Sequence, residues 1–572
     1  MRNIWKVGAL GAVFGAVLSV GGCQDFDAAY EKCVAEGRCG PDGGSAEGDG
    51  GGRDAGPDCI PSSIPDQPDD QGIDSDCDGV DGVADAGYFV DPASGNDTTG
   101  DGSRERPFGT LAHALEQVRT GNSGRTAIYL ARGTYNEAST EVAVAVSLHG
   151  GYARRGTSGD WGRFTDGGTL IDGGPLAFTI RDLPDASVLL DGLHISSNDA
   201  PQGQPSIALR AIHLADLFLH NTVVEAGRGG RGTNGSAGDP GAQGAAGEDG
   251  GSANTTTGGS RGRGGTSSCS VSGSGAGGGG GRGVTSTAGE TGLTGAGGTL
   301  GGGGGSAAGF TQTPSTNIYI CAGTEGILGG AGQAGDAGFP GDAGTGTGLL
   351  NADAGVWEIQ PAQSGAPGLA GVIGAGGGGG GSGGACSDPD LDPGQRAGSG
   401  AGGGGGSGGC GGMPGGGGSG GGASIALLLI DAHAVVGNNS HLTTRGGGQG
   451  GEGGQGGPGG AGGGGGDAGT GANIGPFNKA SPAPAGQYTT YGGAGGPGGR
   501  GGTGGTGGPG GGGAGGPSVG VWCSLDAGIT LEDGGFVTPA DGGRGGESSG
   551  NPGEQGAQSQ YIDCVITDAG TP

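Results

Sequence analysis

Lysine is almost absent from this chain of 572 residues: only Lys6, Lys32 and Lys479 occur. Lys plus Arg reaches 25 against 56 Asp plus Glu, a formal net charge of −31. Nucleic-acid binding needs a basic face that displaces counterions from phosphate, and the chain offers none. Aromatic residues are 4% and all hydrophobic residues 31%. Leu, Ile, Val and Phe together make up roughly 15%, under the roughly 20% that marks weak core-forming capacity in a highly charged chain. Long apolar runs are missing beyond the N-terminus, which excludes a multi-pass helical membrane protein. One large compact core is excluded as well. Glycine fills the space: 165 residues, about four times its ordinary share of ~7%.

At the N-terminus Arg2 and Lys6 precede an apolar run from Val7 to Val20, then Val20-Gly21-Gly22-Cys23. The layout is that of a secretory signal, and the run is too short for the ~20 residues of a spanning helix. An aliphatic residue three before the cysteine, with small residues between, resembles the lipobox of bacterial lipoproteins. The resemblance implies cleavage after residue 22, lipid on Cys23, and a membrane contact through that lipid at the outer membrane or cell surface; an ordinary signal peptide is the alternative. Lipidating one of 11 cysteines leaves an even number for disulfides in an oxidising compartment. Proximity suggests Cys33 with Cys39 and Cys59 with Cys77.

Residues 23–58 read as a polar tether, and 59–85 as an acidic module containing Asp74-Ser75-Asp76-Cys77-Asp78-Gly79-Val80-Asp81. Alternate carboxylates on a tight loop converge on one point, and hard oxygen ligands suit Ca²⁺. The expected ligands are Asp74, Asp76, Asp78 and, at the twelfth loop position, Asp85. No flanking helices are evident, so this is not a conventional EF-hand. The string resembles the MopE-like metal-binding motif of secreted myxobacterial surface proteins. A solvated acidic linker stapled by Cys59 and Cys77 is the competing reading.

From residue 86 the composition becomes strand-forming. Tyr88-Phe89-Val90 is a short strand signal. Leu111, Ala114, Leu115 and Val118 have helical spacing behind Thr110 as N-cap. Ala127-Ile128-Tyr129-Leu130-Ala131 and Arg132-Gly133-Thr134-Tyr135-Asn136-Glu137 follow. Over some 50 residues this order resembles the opening of right-handed parallel β-helices of the pectin-lyase-like superfamily, of the kind catalogued as DUF1565. The resemblance implies an all-β parallel β-helix with one short N-terminal capping helix. Short apolar segments recur through Val223-Val224 at spacings typical of solenoid coils.

Three segments look alike: Ser206-Ile207-Ala208-Leu209, Ser424-Ile425-Ala426-Leu427 and Ser518-Val519-Gly520-Val521, each followed by a second apolar stretch and a glycine-rich exit. They read as separate rungs of one β-helix, with the glycine tracts as insertions from one corner. The organisation expected is therefore N-terminal rungs at 86–226, glycine-rich insertions with isolated rungs at 227–423, a rung at 424–445, a further insertion at 446–517, and a last rung and tail at 518–572. Weaker rungs are expected at Asn317 to Ile320 and Val356 to Ile359. The Gly-x-y stretches are too short and, with 29 prolines, too proline-poor for collagen. They are expected to be flexible loops or bundled polyproline-II strands whose backbones approach where side chains are missing. They resemble mycobacterial PGRS arrays, and their G-x-G-x-x-G strings lack the strand and helix of a phosphate loop.

An enzyme of the β-helix type would need clustered carboxylates or a basic residue beside them. His149-Gly150, Asp191-Gly192 and Arg181 are the nearest fragments, without supporting strings. Tyr152 and Trp161 either cover a rung turn or offer flat apolar faces to a carbohydrate. The function expected is an exported, lipid-anchored surface protein, structural or adhesive, touching extracellular polysaccharide or other cell-surface proteins; the alternative is a polysaccharide-binding or polysaccharide-cleaving β-helix.

Overall fold

A computed structural model describes residue 61 and residues 66–568, apart from 122, 156–158, 165–167, 270–274, 286, 314–315, 438, 480–483, 525 and 533. Cys23, Cys33, Cys39 and Cys59 lie outside the described residues. The chain is almost all β, and two parallel sheets form a β-helix. The first runs through strands Gly87–Val90, Ala127–Ala131, Ser147–Arg155, Leu176–Asp191, Ser206–His220, Ser424–Val436, Ser518–Cys523 and Gln558–Ile562 in that order. The second stacks Gly133–Asn136, Thr169–Gly173, His194–Ser197, Val223–Ala226, His441–Thr444 and Phe536–Thr538.

From strand Leu176–Asp191 onward, successive coils bend where a left-handed residue recurs at the same place. Asp182, His213 and Asp431 occupy equivalent register positions, as do Gly192, Asn221 and Asn439, all at positive φ. Asn, Asp and Gly tolerate this conformation best. Between the bends, inward side chains form ladders: Phe178, Leu209, Leu427 and Val521 on one, Ile171, Ile195, Val224, Leu442 and Val537 on another. All belong to one buried core. The helix Leu111–Thr120 closes the stack. Thr110 accepts from the His113 N–H, Gly121 ends the helix in the left-handed conformation, and Leu111, Ala114, Leu115 and Val118 are buried.

The three look-alike segments are consecutive rungs. Ser206 pairs with Ser424 and Ser424 with Ser518, and Leu217 pairs with Ala434, which pairs with Ile529. Asn317–Ile320 and Val356–Ile359 are not rungs. Ile318–Ala322 belongs to a separate four-stranded sheet with Thr311–Thr313, Gly486–Tyr491 and Asn473–Lys479. Val356–Glu358 forms a hairpin with Leu349–Asn351. Trp357 of that hairpin packs with Ile207, Ile425, Leu428, Val519 and Trp522 on the outer face of the β-helix. The unbroken apolar run from Ile425 to Ile430 thus reads as a strand buried on both faces, the pattern of covered parallel sheet.

The glycine tracts form an ordered bundle of extended strands joined by backbone hydrogen bonds every third residue. Tract 446–472 runs parallel to 227–252: Gly229, Gly232 and Gly235 N–H donate to the carbonyls of Gly446, Gln449 and Glu452, and the series continues at steps of three. Tract 397–422 runs antiparallel to both, and 491–516 and 363–385 pack beside it. A three-residue period is the polyproline-II period, and with no internal hydrogen bonds that helix has every amide free for its neighbours. Of the two states expected for the tracts, the bundle is the one adopted.

Glycine density follows the number of neighbours. In tract 227–252 one residue in three is a glycine facing the bundle, and Thr233, Asn234, Asp239, Pro240 and Gln243 cover the outside. The consecutive glycines 376–381 lie at the centre. Gly377, Gly378 and Gly379 N–H donate in turn to Gly406, Gly330 and Leu293, while their carbonyls accept from Gly278, Gly499 and Gly302. Six strands therefore surround this one, and every backbone polar group of Gly377, Gly378 and Gly379 is satisfied without a side chain. A Cβ on Gly378 would stand 2.0 Å from the Leu300 carbonyl oxygen, so here close approach requires glycine.

Three disulfides tie these parts: Cys269–Cys410 within the bundle, Cys321–Cys386 at its far end, and Cys523–Cys564 between the last two rungs. Cys77 is also disulfide-bonded.

Candidate functional sites: an acidic loop and a lateral cleft

The acidic module is a coiled loop fastened to the first rungs. Its turns are made by its own carboxylates, as Asp side chains do in Asx-turns. Asp74 accepts from the Asp78 and Gly79 N–H groups, Asp78 from Val80 and Ala84, and Asp66 from Gly82. Gly79 has φ +92°, and a Cβ there would meet the Asp160 carboxylate and the Arg104 guanidinium. The Trp161 N–H donates to the Gly79 carbonyl, Tyr152 Oη donates to Asp81 O at 2.6 Å, Tyr129 Oη to Val83 O at 3.0 Å, and Arg163 Nη1 to Asp69 O at 3.2 Å. The module is therefore a cap on the β-helix rather than a solvated linker.

This arrangement separates the two readings of Tyr152 and Trp161. Tyr152 and Trp161 are both 0% exposed, packed with Val80, Phe89 and Tyr129. Their faces are covered by protein and cannot stack on a sugar; they hold the acidic loop instead.

Of the four expected metal ligands, the structure brings together Asp74 and Asp76, and joins them with Asp66. Oxygen atoms of these three carboxylates lie within 4.8 Å of one another and could hold a metal ion. Burial, followed by the neighbouring carboxylates, raises the pKa of Asp66 and of Asp76. Crowded acids of this kind favour a cation. Asp78 and Asp85 are outside the cluster. The Asp78 carboxylate is directed to the Val80 and Ala84 amides, and Asp85 sits in the 3-10 turn that leads into strand Gly87–Val90. The third carboxylate comes from upstream because the loop closes on itself through the Asp66–Gly82 bond. Asp66 begins the acidic string, but its distance from the D-x-D-x-D-G core hides the closure. Nearby, burial pushes Asp81 up to about 8 despite its two contacts with the Asp69 N–H and the charge of Arg163.

His149, Asp191 and Arg163 meet beneath the cap. His149 Nδ1 lies 3.0 Å and Arg163 Nη2 2.5 Å from Asp191 Oδ2, and all three side chains are at most 8% exposed. Burial acts to raise the Asp191 pKa, but the His149 hydrogen bond and the Arg163 charge outweigh it and hold the carboxyl below its usual range. The network joins consecutive rungs to the acidic loop through Arg163.

A second candidate is a cleft of about 1240 Å³ between the outer face of the β-helix and the Leu349–Glu358 hairpin. Arg181, Arg210, Asp431 and Trp522 line it. Arg210 Nη1 donates to Gly355 O at 2.7 Å, but Arg210 Nε and Trp522 Nε1 are buried with no hydrogen-bond partner. Burial, followed by the charge of Arg181, lowers the Arg210 pKa. Buried unpaired donors are rare in native structures; these two belong to residues that line the cleft.

Comparison with known proteins agrees with this architecture. The family described as "Protein of unknown function (DUF1565)" matches residues 93–245. That span covers the capping helix, four coils and the start of the first glycine tract, and with the parallel sheets it fits a pectin-lyase-like β-helix. No curated protein and no solved structure matches the chain.

Proposed function

We propose that the chain is an exported, lipid-anchored cell-surface protein of the myxobacterial lipoprotein type, with a structural or adhesive role. The observation that carries this reading is the continuity of hydrogen bonding from rung to tract. Strands Val223–Ala226, His441–Thr444 and Phe536–Thr538 each lead into a glycine tract that bonds to the others. At ~3.1 Å per residue, tract 446–472 reaches about 80 Å. Such a stiff element suits holding an adhesive surface away from a membrane. The disulfides support an oxidising compartment. Membrane fractionation tests the anchor: the wild-type chain should sediment with membranes and Cys23→Ala should be released. A Cys23→Ala chain that stays bound contradicts the lipid anchor. Cells lacking the protein should adhere less to matrix or to other cells.

The MopE-like loop is proposed to bind Ca²⁺ through Asp66, Asp74 and Asp76, with a stiffening rather than a chemical role. Hard carboxylate oxygens select such a cation, which ordinarily takes 6–8 oxygen ligands, so water or carbonyls would complete the shell. Calorimetry on the intact chain should give Ca²⁺ binding that Asp74→Asn weakens at least about tenfold, two of the loop's amide bonds notwithstanding.

A second reading, a polysaccharide-binding or polysaccharide-cleaving β-helix, is favoured by the unpaired Arg210 and Trp522 donors in the lateral cleft. Incubation with pectin, alginate and similar polymers tests it, since unsaturated or shortened products would displace the structural role.

A further inference from the structure

We propose that the far end of the glycine bundle carries a binding pocket for a single sugar unit of a glycan; this deepens the adhesive reading above. Three excursions of the chain meet there. Strands Thr311–Thr313 with Ile318–Ala322, and Asn473–Lys479 with Gly486–Tyr491, form one sheet at the tips of the long tracts. The loop 386–396, between tracts 363–385 and 397–422, lies against it. A chain with 4% aromatics gathers four around this point. Tyr319 stacks on Tyr488 with centroids 4.6 Å apart and planes 11° from parallel, Phe477 lies 6.0 Å beyond, and Phe310 meets Tyr488 edge-on at 4.9 Å.

The pocket is built from two tied walls. The Cys321–Cys386 disulfide fixes the loop to strand Ile318–Ala322. Thr490 Oγ1 donates to Gln395 O at 2.8 Å and fixes the other end of the loop to strand Gly486–Tyr491. Leu391 packs against both half-cystines. Walls held this way need little ordering when a guest enters.

The polar groups lie at the rim. Asp388 and Asp390 come from the loop, Gln312 from one edge strand and Lys479 from the other. Lys479 is the single lysine among the described residues. Among those residues no ion pair occupies Asp388, Asp390 or Lys479. The cavity is about 150 Å³, smaller than the ~300–1,000 Å³ of sites for drug-sized molecules, so it admits one ring rather than a chain segment. Phe310 and Tyr319, half-buried in the cavity wall and backed by the buried Tyr488, suit the C–H face of a sugar, carboxylates accept from its hydroxyls, and an ammonium donates to them. A cationic amine would also suit the carboxylates and rings, but Lys479 would repel it.

The test presents the full mature chain to a glycan array and then titrates the tightest saccharide. Binding should fall at least tenfold in Asp388→Asn/Asp390→Asn and in Lys479→Met. Amide exchange of the bundle, unchanged in both variants, shows that they fold. A blank array at millimolar saccharide, or binding that both variants leave within twofold, overturns the assignment. Cell adhesion is measured in parallel. A blank array, together with failed adhesion in cells lacking the protein, sinks the pocket and keeps the adhesive reading. Saccharide binding at the pocket, with adhesion intact in such cells, keeps the pocket and sinks the adhesive reading.

Discussion

At the scale of single residues, glycine has two opposite roles in the bundle. At Gly404 a Cβ would lie 1.9 Å from the Arg263 carbonyl oxygen, whereas at Gly464 nothing lies within 4 Å. Gly404→Ala forces two backbones apart and should cost at least the ~1–3 kcal/mol of core overpacking. Gly464→Ala touches nothing and removes disorder from the unfolded chain, so it should add about 0.4–1 kcal/mol. Denaturant melts of the two variants give opposite shifts if the packing is as described; equal shifts would contradict it.

Asp191 makes a second residue-scale prediction. Its folded-state pKa is depressed, so its contribution is present above the ordinary carboxylate range and is lost as pH falls through the folded pKa. Asp191→Asn leaves Arg163 buried without its partner and should cost about 3–5 kcal/mol at pH 7. The variant's deficit should be smaller in acid, below the ordinary carboxylate range, than at pH 7, because the wild type loses the pair as pH falls through the lowered pKa of Asp191. Urea melts at the two pH values check this, and an equal loss at both would be evidence against the ion pair.

At the scale of elements, much was legible in the sequence. Thr110 and the spacing of Leu111, Ala114, Leu115 and Val118 predict the capping helix, because cap and apolar face are local. The repeated Ser-Ile-Ala-Leu and Ser-Val-Gly-Val strings predict rungs, because stacked coils place like residues in one ladder. Asn317–Ile320 has the same strand pattern and lies elsewhere, since alternation does not say which sheet a strand joins. The buried faces of Tyr152 and Trp161, and Asp66 as the third carboxylate, depend on a loop folding back over the rungs, which no local period encodes. The Cys269–Cys410 bridge spans 141 residues and follows from tract order, not spacing. Cys523–Cys564 offers an element-scale test. Opening it with Cys564→Ser should cost about 2–4 kcal/mol and raise exchange in Gln558–Asp568 while strands Ser206–His220 and Ser424–Val436 stay protected. Uniform loss of protection would mean that the last rung is not a separable element.

At the scale of the whole molecule, a composition that argues against a core builds one from backbone. The β-helix buries side chains in ladders, and the bundle beside it buries glycine backbones that exchange hydrogen bonds with neighbouring strands at every third residue. Ordering glycine costs more conformational entropy than ordering any other residue, so the bundle depends on its close hydrogen-bonded packing and on the disulfides that limit the unfolded chain. Amide hydrogen exchange on the intact protein tests this directly. The central residues 376–384 and 398–422 should be protected to an extent comparable with the buried strand Ser424–Val436, and outward residues of tract 227–252 should exchange faster. Exchange of residues 376–384 and 398–422 at the rate of an unstructured chain, with Ser424–Val436 still protected, would contradict the bundle.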